Sequence, residues 1–301
     1  MVYLNDNPIE IVKYPDNTVK IDIPRDIVDC NGANVIKWQY ESDSEFTIVA
    51  FIKKHLDDII NKTFPGMFYV GVSLVMNYIP NARMDRVKDN TEVFTLKYFA
   101  DMINSLNFKS VEVFDPHSTV SEALFNNLVI KHGMLNHVIS EVIESVTCEI
   151  GKVLLRSDDL VIFYPDEGAQ KRYHNGVLKD NGFIAFFGNK IRDWKTGEIK
   201  GLSIETHTDK GLDYLQGKTV LIIDDIISAG GTVYYSIKEL EKYGVKNVYC
   251  YTSHLENTMW TQEENKLRHM LLDDNSVFKK LYATDSVYNQ GDHKNLEIIE
   301  L

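Results

Sequence analysis

The sequence predicts an α/β protein of two domains, each a mainly parallel sheet flanked by helices. Short apolar runs alternate with segments of helical periodicity along most of the chain. Several runs, among them Leu160–Tyr164 and Val220–Ile223, are apolar at every position, as strands buried on both faces are. Polar turns marked by glycine or proline follow these strands, on the side where ligands bind in such sheets. With 301 residues, 44% hydrophobic and 25% charged, the chain can build two cores of ~150 residues each. A new α/β unit starts near Gly151, so the expected domains are 1–150 and 151–301, the last strand being a candidate to return to the first.

Taken in order, the segment up to about Val35 holds Pro15, Pro24, polar turns and short strand candidates. Ile48, Ile52, Leu56 and Ile59 recur at helical spacing, Asn61 to Gly66 interrupts them, and Met67 to Tyr78 reads as a buried strand ended by Pro80. Val93, Leu96, Ala100 and Ile103 mark a second helix, Val111–Phe114 a strand, and His137 to Glu149 a further helix. The second unit reads as a strand at Leu160–Tyr164, a helix after Pro165, a strand at Phe183–Phe187 and a strand at Val220–Ile223. A helix follows with Val233, Ile237 and Leu240 on one face and Gly244 as its stop. Asn247–Tyr251 is the next strand, Gln262 to Leu272 a helix, and strands lie near Lys280–Ala283 and Leu296–Ile299.

The net charge of −12 argues against nucleic acid as the main partner and requires that an anionic substrate meet metal ions or locally placed basic residues. No apolar run approaches the ~20 residues of a membrane span, and the N-terminus lacks a basic segment followed by an apolar one, so a cytoplasmic protein without membrane contact is expected. Cys30, Cys148 and Cys250 are odd in number and without metal spacing, in keeping with reduced thiols.

Residues 219–232, Thr-Val-Leu-Ile-Ile-Asp-Asp-Ile-Ile-Ser-Ala-Gly-Gly-Thr, carry the most chemistry. An apolar strand ends in Asp224 and Asp225, then Gly230 and Gly231 let the backbone turn tightly and approach a ligand, and the helix that follows aims its amides at it. Amides and helix dipole suit a phosphate; carboxylates suit sugar hydroxyls. Ser228, Ala229, Gly230, Gly231 and Thr232 would line the phosphate side. The bland alternative is a strand-loop-helix with acids near a helix start for dipole reasons alone.

Other candidates also follow strands. Arg83, Asp85 and Arg86 in Asn81–Arg86 place two guanidinium groups where a triphosphate or an adenine can be held, against the alternative of a surface loop with local ion pairs. His117, just beyond Val111–Phe114, offers an imidazole to a metal or a phosphate oxygen, with Asp115 near enough to orient it. Gly188 to Gly197 is polar, basic and bounded by glycines, which reads as a mobile loop, or else as a hairpin whose charges face solvent. Asp166, ahead of the next helix, is either a cap or a ligand to a metal beside a diphosphate.

These segments resemble those of the ribose-phosphate diphosphokinases, the synthetases of phosphoribosyl pyrophosphate, over roughly residues 67–285. Residues 219–232 resemble the ribose-phosphate loop shared with phosphoribosyltransferases, which points to phosphoribosyltransferase-like domains. Tyr78–Arg86 resembles the adenine-nucleotide loop, with Asn81 in place of an aromatic residue and Met84 in place of glutamine. Asp115-Pro116-His117 resembles the Asp-Leu-His segment that gives a histidine to the magnesium of magnesium-ATP. Asp166 to Arg172 resembles the diphosphate segment, which implies that Asp166 binds a second Mg2+. Lys190 and Arg192 match the Lys-X-Arg of a catalytic loop that closes over ATP. The family covers the adenine with an aromatic residue from a neighbouring subunit, for which Trp38 or Tyr40 is the nearest match. The resemblance implies a homo-oligomer, dimer or hexamer, and the stretch Asp193 to Gly197 is similar to a divergent branch that includes versions carried by bacterial viruses.

The implied reaction is attack by the anomeric hydroxyl of a ribose phosphate on the β-phosphorus of ATP, releasing AMP. Catalysis would rest on positioning and charge neutralisation by Mg2+, Lys190, Arg192 and Arg83. The acceptor stays open between ribose 5-phosphate and ADP-ribose, because Ser228 and Ala229 stand where the family has Asp-Thr and one hydroxyl for a terminal phosphate is lost. Such a charge-assisted hydrogen bond is worth ~1.5–3 kcal/mol. A phosphoribosyltransferase, which has no use for Arg83, His117 or Lys190, and a non-catalytic regulatory relative are the alternatives.

Overall fold

The computed structural model describes residues 1–30, 33–63, 71–132, 134–150, 159–173, 182–192, 199–206, 209–291 and 293–301. The chain divides into two compact units, Met1–His132 and Gly133–Leu301. Both are α/β, with sheets dominated by parallel strands.

The first unit runs β1 (Val2–Leu4), β2 (Asn7–Pro8), β3 (Glu10–Lys13), β4 (Val19–Asp22), β5 (Asn34–Trp38), α1 (Glu45–Thr63), β6 (Val72–Met76), α2 (Thr95–Ser105), β7 (Val111–Phe114), α3 (Val120–Leu124) and β8 (Leu128–Lys131). Its six-stranded sheet has the order β2-β1-β5-β6-β7-β8, parallel from β5 to β8 and antiparallel at β1 and β2. The paired strands β3 and β4 stand apart as a hairpin. Helical spacing puts Ile48, Ile52 and Leu56 of α1, and Leu96, Phe99 and Ile103 of α2, into one core with Ile36, Leu74 and Val113 of the strands, while Ile59, expected on the same face, is only half-buried. Val93, expected on the second helix, precedes it and is exposed.

The second unit runs α4 (Met134–Ile150), β9 (Leu160–Tyr164), α5 (Glu167–Tyr173), β10 (Ile184–Arg192), β11 (Ile199–Thr206), β12 (Thr219–Ile227), α6 (Gly231–Glu241), β13 (Asn247–Leu255), α7 (Thr258–Thr261), α8 (Lys266–Leu272), β14 (Phe278–Thr284) and β15 (Leu296–Ile299). The strand order is β11-β10-β9-β12-β13-β14-β15, parallel except at β11. Successive strand residues face opposite layers. Val220, Ile222, Val248 and Cys250 pack against Val233, Ile237 and Leu240 of α6 and Leu267 and Leu271 of α8. Leu221, Ile223, Tyr249 and Tyr251 pack with Val138 and Val142 of α4 and Ala169 of α5.

Several expectations change here. The division at 132/133 puts α4 in the second unit, because Val138, Ile139 and Val142 are buried against β9 and β12 residues. The last strand, β15, pairs with β14 in the second unit's own sheet and does not return to the first. Val111–Phe114, Leu160–Tyr164 and Leu296–Ile299 are strands as read, whereas β12 runs on to Ile227, so Asp224 and Asp225 lie inside it. Residues 188–192, read as the start of a mobile loop, continue β10 and pair antiparallel with β11. Met67 to Val70, the start of the strand expected over Met67 to Tyr78, lie outside the described residues.

Candidate active site

The carboxyl end of β12 is the most completely built candidate. Asp224 continues the row of Val220 and Ile222, and Asp225 that of Leu221 and Ile223, so the adjacent carboxylates diverge to opposite faces of the sheet. Both are buried, at 7% and 6% exposed. On the α5 face, Asp225 Oδ2 lies 2.5 Å from Nη1 of Arg172, a guanidinium that is itself largely buried. On the α6 face, Asp224 Oδ1 accepts the Asp225 amide at 3.0 Å, and burial followed by the Asp224 charge pushes the Cys250 thiol up. A buried carboxylate is stable only when paired or hydrogen-bonded, and each of these has its own device.

The loop beyond the strand turns at Gly230, whose φ of +76° is a left-handed conformation that side chains disfavour. A Cβ there would also fall 2.3 Å from Leu267 Cδ2. Gly231 is different: a Cβ added to it meets nothing within 4 Å, so its value lies in leaving the loop surface open. No side chain caps α6. The Tyr234 amide closes on the Gly230 carbonyl at 2.9 Å, while the amides of residues 230–233 donate to no acceptor among the described residues. Amides at the start of an eleven-residue helix suit an anion, and the two carboxylates near the end of the strand before it suit hydroxyl groups. Ser228 and Thr232 are half-buried and Ala229 is exposed on this loop.

Arg172 brings α5 to the same strand end. Asp166 Oδ1 accepts the Ala169 amide at 2.9 Å, and the Asp166 carbonyl accepts from Gln170 at 3.1 Å, so Asp166 acts as the cap of α5. The Tyr173 hydroxyl lies 3.2 Å from Ser253 Oγ on β13. Lys190 and Arg192 sit on β10 opposite Leu202 and Ile199, with a bulge between Ile191 and Arg192. Gly188, earlier on that strand, is required by close packing: its Cβ would come within 2.8 Å of both Leu202 Cδ1 and the Pro165 carbonyl. Residues 193–197, the rest of the expected catalytic loop, lie outside the described residues.

In the first unit, the expected nucleotide residues follow β6 and β7. Asn81, at φ +65°, turns the chain so that Arg83 and Arg86 are exposed, and Arg86 Nε stands 3.9 Å from Asp85. His117 is half-buried two residues past Asp115. Asp115 is 3% exposed, holds φ +42°, and has its Oδ1 3.3 Å from Nδ1 of His132 at the end of β8. Trp38 does not fit the nucleotide role expected of it. It is 1% exposed, donates from Nε1 to Glu45 Oε2 at 3.0 Å and packs against Phe99, so it has no face to offer an adenine. Tyr40, half-buried between Trp38 and Tyr78, is the aromatic with surface left, and burial followed by its hydrogen bond to Asp43 raises its phenol pKa.

No group of three or more His, Cys, Asp or Glu suited to a metal occurs among the described residues. Mg2+ keeps several waters and takes one or two protein ligands alongside substrate phosphates, so single donors such as His117 and Asp166 fit that mode. Two contributors were not read from the sequence: the Asp225 partnership of Arg172 and the buried Asn265, which reaches the loop from α8. Neither had a local signal, because Arg172 and Asn265 each lie far in sequence from the residue they reach.

Comparison with known proteins agrees with this geometry. Residues 185–285 match the family model of the phosphoribosyl transferase domain. Ribose-phosphate pyrophosphokinase 2 of Enterococcus faecalis is 25% identical over 76% of this chain and 64% of its own length. The ribose-phosphate pyrophosphokinases of Saccharolobus solfataricus (24%, over 80% of this chain and 74% of the relative) and Bacillus subtilis (27%, over 72% and 60%) are comparably similar. The matched stretch thus spans between 60% and 74% of these relatives. The phosphoribosylpyrophosphate synthetase of Mycobacterium smegmatis has the same fold, with a TM-score of 0.70 at 14% identity over 97% of this chain and 86% of that one. In sequence and in fold the chain is therefore similar to the ribose-phosphate pyrophosphokinases.

Proposed function

We propose that this chain is a ribose-phosphate diphosphokinase that transfers the β,γ-diphosphoryl group of magnesium-ATP to the anomeric hydroxyl of a ribose phosphate, releasing AMP. The observation that carries the reading is the end of β12, where buried Asp224 and Asp225 precede a turn whose amides, at the opening of α6, meet no acceptor among the described residues. The similarity to ribose-phosphate pyrophosphokinases supports the diphosphoryl transfer.

In this reading Asp224 and Asp225 accept hydrogen bonds from the ribose hydroxyls, and the amides of residues 230–233, with Ser228 and Thr232, hold the phosphate at the far end of the sugar. Arg83, Asp85 and Arg86 bind the nucleotide. Lys190 and Arg192 meet the charge that develops on the transferred group, an electrostatic task that requires positioned cations and no covalent intermediate. His117 and Asp166 would hold Mg2+, which supplies neutralisation of the phosphate charge that an acidic protein otherwise repels. A homo-oligomer completing the nucleotide site is part of the same proposal, with Tyr40 in place of Trp38 as the aromatic.

Two acceptors fit, ribose 5-phosphate and ADP-ribose. The second is left open by the loop: Ala229 is exposed, and a Cβ on Gly231 would meet nothing within 4 Å among the described residues. Purified protein incubated with magnesium-ATP and each acceptor in turn, with AMP and product mass followed, decides between them. A product heavier than its acceptor by one diphosphoryl group assigns the substrate; AMP release with neither acceptor overturns the proposal.

A further inference from the structure

Asn265 lies outside the residues given roles above, yet it touches the sugar-phosphate loop directly. It is 3% exposed and has both ends of its amide engaged. Its Oδ1 accepts the Arg268 amide at 2.9 Å and so caps α8, while its Nδ2 donates to the Ala229 carbonyl at 2.9 Å. The second bond crosses 36 residues of sequence to reach a loop residue that is itself exposed.

The consequence lies in the peptide that joins Ala229 to Gly230. In a trans peptide the carbonyl and the following N–H point in opposite directions. With the Ala229 carbonyl held toward α8, the Gly230 N–H is directed away from α8 and out of the loop. Leu267, two residues beyond Asn265, presses on the same turn, lying 2.3 Å from where a Gly230 Cβ would stand. The start of α8 therefore acts as a template for the turn: Asn265 sets the orientation of one peptide and Leu267 enforces the glycine.

We infer that Asn265 is a positioning residue for the phosphate-binding loop, fixing the Gly230 amide in its ligand-facing orientation before substrate arrives. The inference rests on the reading of that loop as an acceptor site, and it adds a specificity determinant on a helix that supplies no direct ligand. It also separates two jobs within one side chain, since the cap needs only an acceptor and the loop needs the donor.

Asn265→Ser tests this, because serine caps a helix about as well as asparagine but is too short to reach Ala229. Two readouts are needed: binding of ribose 5-phosphate and of ADP-ribose by calorimetry, and hydrogen exchange at the Tyr234 amide, which closes on Gly230. The inference expects an unchanged melting temperature, faster exchange at Tyr234 and acceptor binding weakened by about threefold to tenfold, the range of one lost hydrogen bond. ATP binding should not move. Unchanged Tyr234 exchange would overturn the positioning role, as would acceptor binding equal to wild type in a variant with loosened exchange. If the wild-type protein bound neither acceptor, the functional reading would fail on its own, and the exchange readout would still decide whether Asn265 sets the loop.

Discussion

The carboxyl ends of β12 and β7 pose the same physical problem and solve it differently. Each places a buried aspartate within two residues of the carboxyl end of a parallel strand. At β12 the partner of Asp225 is Arg172, a largely buried guanidinium at 2.5 Å, and the turn beyond uses glycine for its left-handed residue. At β7 the partner of Asp115 is His132, whose side chain is 64% exposed, and Asp115 itself occupies the left-handed region at φ +42°. One aspartate faces a guanidinium that is largely out of solvent; the other faces an imidazole that is mostly in it, with half-buried His117 two residues on.

Removing the partner at the β12 end should produce the largest effect. Asp225→Ala removes the carboxylate that Arg172 faces at 2.5 Å and should lower stability in urea unfolding by more than any change on the β7 side. The double variant Asp225→Ala with Arg172→Met should recover most of that loss without recovering activity. A single variant as stable as wild type would mean that the β12 end is no more prebuilt than the β7 end.

Next in size is a test of whether the β12 end suffices alone. Lys190→Ala should lower turnover by about 10²–10³-fold, the scale for one electrostatic group acting on the transition state, with melting temperature unchanged. Unchanged activity would fit a phosphoribosyltransferase better than a diphosphokinase. The turn itself comes third. Gly230→Ala imposes a left-handed alanine, costing about 1–2 kcal/mol, together with a Cβ at 2.3 Å from Leu267. Urea unfolding should therefore show a loss of at least about 2 kcal/mol, whereas Gly231→Ala, in open space, should lose much less.

The same contrast explains what the sequence disclosed. Strand β9 and the Val220–Ile223 stretch of β12 were legible because both faces are buried and every residue there is apolar, and α1, α2 and α6 because one face carries the period. Strands β8 and β11 went unread. β8 alternates half-buried and exposed residues at the sheet edge, and β11 hides Leu202 and Ile204 among polar residues that look like a loop. Misplacing β11 is also what turned residues 188–192 into a loop. Asp224, Asp225 and the glycines were visible because backbone geometry demands those residue types at adjacent positions. Asn265 and His132 reach their partners across 36 and 17 residues, and no local pattern encodes such contacts. Trp38 was misread because an aromatic on a strand fits core and ligand alike until its burial is known.

The smallest expected effect belongs to the exposed side. His132→Ala removes a partner that is already mostly solvated, so its loss should change stability by no more than about 1 kcal/mol. Asp115 should keep its place regardless, because its amide donates to the Lys131 carbonyl at 3.0 Å independently of the histidine ring. Denaturant melts of His132→Ala and Asp225→Ala, run side by side, therefore measure the difference between the two strand ends directly. A loss in the histidine variant as large as in the aspartate variant would put the two strand ends on the same footing. A loss near zero would leave β7 as the adaptable end, with its aspartate set by backbone and its neighbour His117 available to a ligand that comes and goes.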